Sequence, residues 1–389
     1  MPAPKKPRRI ALLLNLNDYY ARSVAVGIRK FFRTREGWSC ETLDPEWRGA
    51  HWEWVLDGKW DGIVAYGLTE GLVAFLVKCG IPSVNVSNAL PPTDNLPRVV
   101  TDDYAVGRMV ADHFLERGLR NFAHLGNSAY VSKVRVQGFK DRIEKAGFQT
   151  EKLTPTYEME IGHWLRTEIP GLPERIAKGD WPLGVFCSSD TYARYVIGSC
   201  VAHNFQVPEQ VAVVGVNNSE VSDGLAEIPF SSVELQLEKI GYSAMELLSQ
   251  WIETKKRPDQ PAAIPPRGLV MRRSSDLIAV DDVAVAHALR LIREGALGPI
   301  DIREVVKQVG VSRRILEKRF KDATGRTPYA EVLRLRVDKA KSLLVGTDLR
   351  ISEVAEKSGF SYGKQLHVIF TRHTGMPPTV YRKKYQTPR

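Results

Sequence analysis

Leu183-Gly-Val-Phe-Cys187 runs straight into Ser188-Ser-Asp190, and Val211-Ala-Val-Val-Gly215 runs straight into Val216-Asn-Asn218. A short unbroken apolar run that ends on polar residues suits a strand buried on both faces. Four more runs have this form: Ile10-Ala-Leu-Leu-Leu14, Gly62-Ile-Val-Ala65, Ser83-Val-Asn-Val86 and Asn121-Phe-Ala-His-Leu125. Helical periods lie between them, as over Tyr104 to Glu116, where Val106, Met109, Val110 and Phe114 mark one face. Strand alternating with helix predicts a parallel α/β sheet. Sheets of that kind take ligands beyond the carboxyl ends of their strands. The residues expected there include Asn15, Asn17, Ser87, Asn88, Asn127, Asp190, Asn217 and Asn218, with Arg135 and several aromatics nearby. Amides, hydroxyls and a carboxylate offer the paired donors and acceptors that vicinal hydroxyls need, and an aromatic face covers the C–H side of a sugar. No GxGxxG follows a strand and no GxxxxGK[ST] occurs, so a sugar fits better than a nucleotide.

The 389 residues are 43% hydrophobic and 26% charged, enough apolar material for two or three domains. The net charge of +10 lies wholly in residues 281–389, which hold 22 basic and 12 acidic side chains, while the first 280 residues are neutral. A basic module behind a neutral body predicts a polyanion partner, nucleic acid first. Cys40, Cys79, Cys187 and Cys200 are too few and scattered for a disulfide framework or a metal knuckle, which points to a reducing cytoplasm. Residues 1–9 form a basic tail, but the apolar run behind it stops at Asn15, short of the roughly 7 to 15 residues of an export signal. No stretch approaches the ~20 apolar residues of a membrane span. The polar, proline-broken segment from Trp251 to Pro266 and a boundary near Ala279 to Asp282 divide the chain into a sensor at 10–278 and a basic module at 279–389.

That module repeats itself. Ile302-Arg-Glu-Val305 before Gly310-Val-Ser312 answers Ile351-Ser-Glu-Val354 before Gly359-Phe-Ser361, at an offset of 49. Leu316, Phe320, Gly325 and Pro328 answer Leu366, Phe370, Gly375 and Pro378 at an offset of 50. Each copy reads as helix, glycine turn, then a helix capped by Ser312 or Ser361, giving helix-turn-helix units at about 301–325 and 350–375. Opposite the core stripe, the first reader carries Arg313, Arg314, Glu317 and Lys318, and the second carries Tyr362, Lys364, Gln365 and His367. These side chains match base edges in the major groove. Lys321, Arg326, Arg372, Arg382, Lys383 and Lys384 are expected on phosphates. Leu333, Val337, Ala340 and Leu344 mark a connecting helix that holds both readers at one separation.

Residues 10–278 resemble the LacI-type regulator sensor and periplasmic sugar-binding fold. The resemblance is carried by Val99-Val-Thr-Asp-Asp-Tyr-Ala-Val-Gly107, Arg135-Val-Gln-Gly-Phe139, Ser188-Ser-Asp190, Val207-Pro208 and Val213-Val-Gly-Val-Asn-Asn218. It implies two α/β lobes closing on a sugar, with binding roles at Asn17, Asn85, Arg135, Trp164, Asp190 and Asn218, Trp164 being the stacking platform. Two departures leave the sugar open: Asn217-Asn218 stand where relatives often have Asp-Asp or Asp-Asn, and Leu235 where many have Gln. The last hundred residues resemble the AraC-type DNA-binding domain through Lys339-Ala-Lys-Ser-Leu-Leu344, Ile351-Ser-Glu-Val-Ala355, Gly359-Phe360, Phe370 and Gly375-Met-Pro-Pro378, with Leu366 where Phe is usual. The combination implies a cytoplasmic, homodimeric transcription regulator, with D-xylose as effector, an operator duplex as target and RNA polymerase as partner in activation. A different sugar, repression in place of activation, and a sugar-binding or carbohydrate-processing protein are the alternatives.

Catalysis finds no support. The eight histidines form no HExxH, no Gly-x-Ser-x-Gly elbow occurs, and Asp102-Asp103 read as a helix cap before Tyr104. No catalytic residue, metal ligand or cofactor is expected.

Overall fold

The structure is a computed structural model that describes residues 7–43, 52–67, 69–92, 96–154, 169–179, 181–219, 226–261, 263–277, 280 and 282–385. It divides into two compact units, Met1–Leu277 and Ile278–Arg389.

The first unit holds two lobes. In the first lobe, β1 (Arg8–Leu13), β2 (Trp38–Leu43), β3 (Gly62–Ala65) and β4 (Ser83–Asn85) form a parallel sheet in the order β2-β1-β3-β4, with α1 (Tyr19–Arg33) and α2 (Glu70–Lys78). In the second, β5 (Asn121–Leu125), β6 (Thr150–Lys152), β7 (Leu183–Cys187), β8 (Val211–Val216), β9 (Ser231–Glu234) and β10 (Gly268–Val270) lie in the order β10-β9-β8-β7-β5-β6. Only β10 runs antiparallel to its neighbour. The helices here are α3 (Asp103–Glu116), α4 (Tyr130–Lys145), α5 (Leu172–Ala177) and α6 (Asp190–Ala202). The next helix, α7 (Leu237–Thr254), returns to pack on α1 in the first lobe. The chain therefore crosses between lobes near residues 99–103, 234–237 and 264–268. Two of these crossings are laced together: the Ile264 N–H donates to the Val100 carbonyl and the Asp102 N–H to the Ile264 carbonyl, each at 2.8 Å.

Each of the six apolar runs forms a strand. The strands outside these runs are β2, whose Ser39 to Thr42 are exposed at the sheet edge, and the short β6, β9 and β10. In β9, Ser231 and Ser232 are fully buried because their hydroxyls are hydrogen-bonded. At the N-terminus, β1 takes up Arg8 and Arg9, the last residues of the basic tail. Their guanidinium groups lie 5.1 Å and 4.6 Å from the Trp38 and Trp60 ring centres, because a cation over an aromatic face keeps its charge while covering apolar surface.

Each lobe has one helix pair packed backbone to backbone through glycines. A Cβ on Gly107 would lie 1.8 Å from the Arg135 carbonyl oxygen, and one on Gly138 2.1 Å from that of Tyr104, so α3 and α4 meet at a distance only glycine permits. Gly27 and Gly241 do the same for α1 and α7.

The second unit is helical: α8 (Val283–Gly295), α9 (Ile302–Val309), α10 (Arg313–Thr324), α11 (Pro328–Gly346), α12 (Ile351–Lys357), α13 (Gly363–Thr374) and α14 (Pro378–Tyr385). It has two cores. Val285, Leu289, Ile292, Val305, Leu316 and Phe320 build one, and Val354, Phe360, Leu366 and Phe370 build the other. The connecting helix α11 serves both, with Val332 in the first and Val337, Ala340 and Leu344 in the second.

Candidate ligand cleft and nucleic-acid interface

Arg135 sits on α4 and is 5% exposed. A buried guanidinium needs partners, and it has them on two elements: Nε donates to Asp103 Oδ1 at 2.7 Å and Nη1 to the Ser188 carbonyl at 2.8 Å. Asp103, in the first turn of α3, also accepts from Asn88 Nδ2. Asn88 follows β4, so this cluster ties the strand ends of one lobe to the helices of the other. Asp102 caps α3, accepting from the Ala105 N–H at 2.9 Å, whereas Asp103 is the charged partner of Arg135.

Asp190 opens α6 and is buried; its carboxylate accepts from Ser232 Oγ at 2.6 Å and from the Ser219 N–H at 2.8 Å. Burial pushes its pKa up to about 6, opposed by those two hydrogen bonds and by the charges of Arg272 and Arg135. Asn217 and Asn218 both take positive φ, 115° and 53°, at the end of β8, a conformation asparagine tolerates better than most residues. Asn218 Oδ1 accepts from Arg272 Nη2 at 2.7 Å. From there a buried polar chain continues: the Arg272 N–H donates to Ser231 Oγ, and Ser275 Oγ bonds both Ser231 Oγ and His113 Nε2. Burial, aided by Arg117, pulls the His113 pKa down to about 3.

The other sequence-derived positions fall differently. Asn17 lies exposed in the turn after β1, its N–H donating to Asn15 Oδ1. Asn85 folds onto its own turn: Nδ2 donates to the Ser87 carbonyl at 3.0 Å and Oδ1 accepts from the Ser87 N–H at 2.8 Å. The amide that reaches the Asp103–Arg135 pair from this strand end is thus Asn88, not Asn85. Trp164 lies outside the described residues. Among the described residues an aromatic surface comes from Tyr20 on α1 and Tyr66 after β3, stacked with ring centres 5.2 Å apart at 18°. Tyr20 feels the charges of Asp103 and Arg135, and its phenol pKa is raised, first by burial and then by Asp103. Tyr66 directly follows the Gly62–Ala65 run, so a search of strand ends for rings as well as amides finds it.

In the second unit both turns are as the repeat requires. Gly310 and Gly359 take φ of 77° and 81°, and Gly325 and Gly375 end the reader helices at 74°. Ser312 caps α10 by accepting from the Ile315 N–H. The second copy reverses the roles: Tyr362 is the N-cap residue, and the Ser361 N–H donates to Gln365 Oε1 at 2.9 Å. Gln365 is therefore turned back toward the helix start. Arg313, Arg314, Lys318, Tyr362, Lys364 and His367 are exposed, and Glu317 accepts from Arg313 Nε at 2.8 Å. Two expected phosphate contacts have structural partners instead. Arg326 pairs with the buried carboxylate of Glu331 at 2.7 Å, and Arg382 donates to the Leu344 carbonyl near the end of α11 and to the Leu349 carbonyl in the turn that follows. Lys321, Arg372 and Lys383 are exposed, and the Lys384 side chain lies outside the described residues.

Among the described residues no cluster of metal-ligating side chains occurs, and no helix is long and apolar enough to cross a membrane. Residues 111–275 match the periplasmic binding protein-like domain, and residues 305–384 match a helix-turn-helix domain. The chain is similar to the xylose operon regulatory proteins of Escherichia coli (strain K12), 28% identical over 393 residues and 97% of each chain, and of Haemophilus influenzae, 28% identical over 96% of this chain and 98% of the other. It also resembles the solved structure of the xylose-binding transcription activator XylR, at 26% identity and a TM-score of 0.70, covering 98% of this chain and 100% of that one.

Proposed function

From a chain that joins a periplasmic-binding-protein-like sensor to an AraC-type pair of helix-turn-helix readers, we propose a transcription regulator of pentose catabolic genes whose DNA binding is governed by D-xylose. The supporting observation is the buried Asp103–Arg135–Ser188 cluster at the meeting of the lobes, in the same chain as two exposed cationic readers. An uncharged pentose presents hydroxyls, a ring oxygen and C–H faces. Arg135, Asp190, Asn88 and Asn218 supply donors and acceptors for the hydroxyls, and the Tyr20–Tyr66 stack supplies a ring face. Relatives similar over nearly their whole length carry xylose in their names, which supports that pentose among the isomers.

The sugar acts by binding one lobe arrangement more tightly than the other, since equal affinity for both would shift nothing. In this reading two copies associate in the cytoplasm, and sugar resets their readers on adjacent operator sites so that RNA polymerase is engaged. Calorimetry against xylose, arabinose, ribose and glucose tests it. Heat is expected with xylose and little with the rest. Arg135→Ala should abolish that heat while the protein is still retained on DNA at low salt. Equal loss of sugar binding and DNA retention would reject the division of labour.

A further inference from the structure

Val368 is 50% exposed on α13, although Leu366 and Phe370 of the same helix are fully buried. Half of this β-branched aliphatic side chain therefore faces water, where it can meet a partner. Lys364 stands one turn before it and Arg372 one turn after, both exposed, and residues four apart share a helix face. The face thus reads cation, methyl groups, cation.

The offset of 50 puts Val368 in register with Lys318, Lys364 with Arg314 and His367 with Glu317. Leu316 and Leu366 are buried at equivalent points, so both readers turn the same face outward. Where the first presents an ammonium group, the second presents an isopropyl group. The major groove offers one apolar feature for such a side chain, the C5 methyl of thymine. With Gln365 turned back to Ser361, the amide that would read adenine beside it is engaged elsewhere.

We propose that Val368 is a specificity-determining residue that reads a thymine methyl, so that the two readers require unlike half-sites. This rests on the DNA-binding reading above. The flanking Lys364 and Arg372 favour a duplex over a protein partner, because one cation suits a base edge and the other a phosphate beside the contact.

The test uses the full chain to enrich duplexes from a random-sequence library, then replaces each thymine of the consensus singly by deoxyuridine, which removes one methyl and keeps every hydrogen bond. At one thymine in the second half-site the replacement should weaken binding by about fourfold, the scale of one buried methyl group. Val368→Ala should weaken binding to the thymine duplex by a similar factor and erase the deoxyuridine penalty at that position alone. Lys318→Ala should leave that penalty in place. The proposal is overturned if Val368→Ala keeps every penalty. It is equally overturned if that variant loses promoter activation with its DNA affinity and penalties unchanged, which would assign the face to a protein. Failure to enrich any duplex would instead bring down the DNA-binding reading itself, and this proposal with it.

Discussion

Asp190 gives the proposed sugar site a pH dependence. Its folded pKa is raised from 3.8 to about 6, chiefly by burial, so the folded chain favours the neutral acid. The sign follows: the stability this group contributes is fully present below about pH 4 and is lost as pH rises through about 6. Sugar affinity runs the other way, since a hydroxyl donates better to a carboxylate than to a carboxylic acid. Titrations are expected to show affinity rising with pH through a midpoint near 6, and Asp190→Asn should flatten the profile. A wild-type affinity that is level across this range would remove Asp190 from the ligand contacts. The sequence singles out Arg135 by resemblance and the Asp102-Asp103 pair as a helix cap, but the pairing of Arg135 with Asp103 is not legible in it.

Helix pairs set where those residues stand. Asp103 is carried by α3 and Arg135 by α4, and the spacing of the two helices depends on Gly107 and Gly138 meeting opposite backbone. Gly138→Ala would place a methyl 2.1 Å from the Tyr104 carbonyl oxygen, so the helices must separate. We expect a loss of about 1–3 kcal/mol in stability, as for overpacking elsewhere, together with weakened sugar binding. Gly198, inside α6, is the control, because a methyl added there would meet nothing within 4 Å. Gly198→Ala should stabilise by about 0.5–1 kcal/mol and leave sugar affinity alone. Denaturant melts and calorimetry on both variants decide it, and unchanged sugar affinity in Gly138→Ala would refute the positioning role. The glycine spacing is legible within each helix. That the glycines face one another across two helices is not.

Charge is distributed at the scale of the whole molecule, with +10 confined to residues 281–389. Binding to duplex DNA should therefore weaken steeply with salt as counterions are released. Replacing Lys321, Arg372 or Lys383 by Ala should each lower the slope of log affinity against log salt by about one. Arg326→Ala and Arg382→Ala should instead destabilise the second unit with the slope nearly intact, because their guanidinium groups hold Glu331 and the end of α11. Equal slope changes in all five variants would refute that separation.

The amino-acid sequence on its own determined the alternating strands and helices, the duplicated helix-turn-helix and the division of charge. Each is written in local spacing: unbroken apolar runs, a repeat at offsets of 49 and 50, glycines where φ turns positive. Tertiary structure alone decided which polar groups meet. Arg135 lies 32 residues from Asp103 and 53 from Ser188, Tyr20 stacks on Tyr66, Asn88 reaches Asp103, and Arg382 donates to backbone carbonyls. No periodicity encodes such pairs, because they depend on how closely whole elements approach, and that distance is set by packing between segments far apart in the chain.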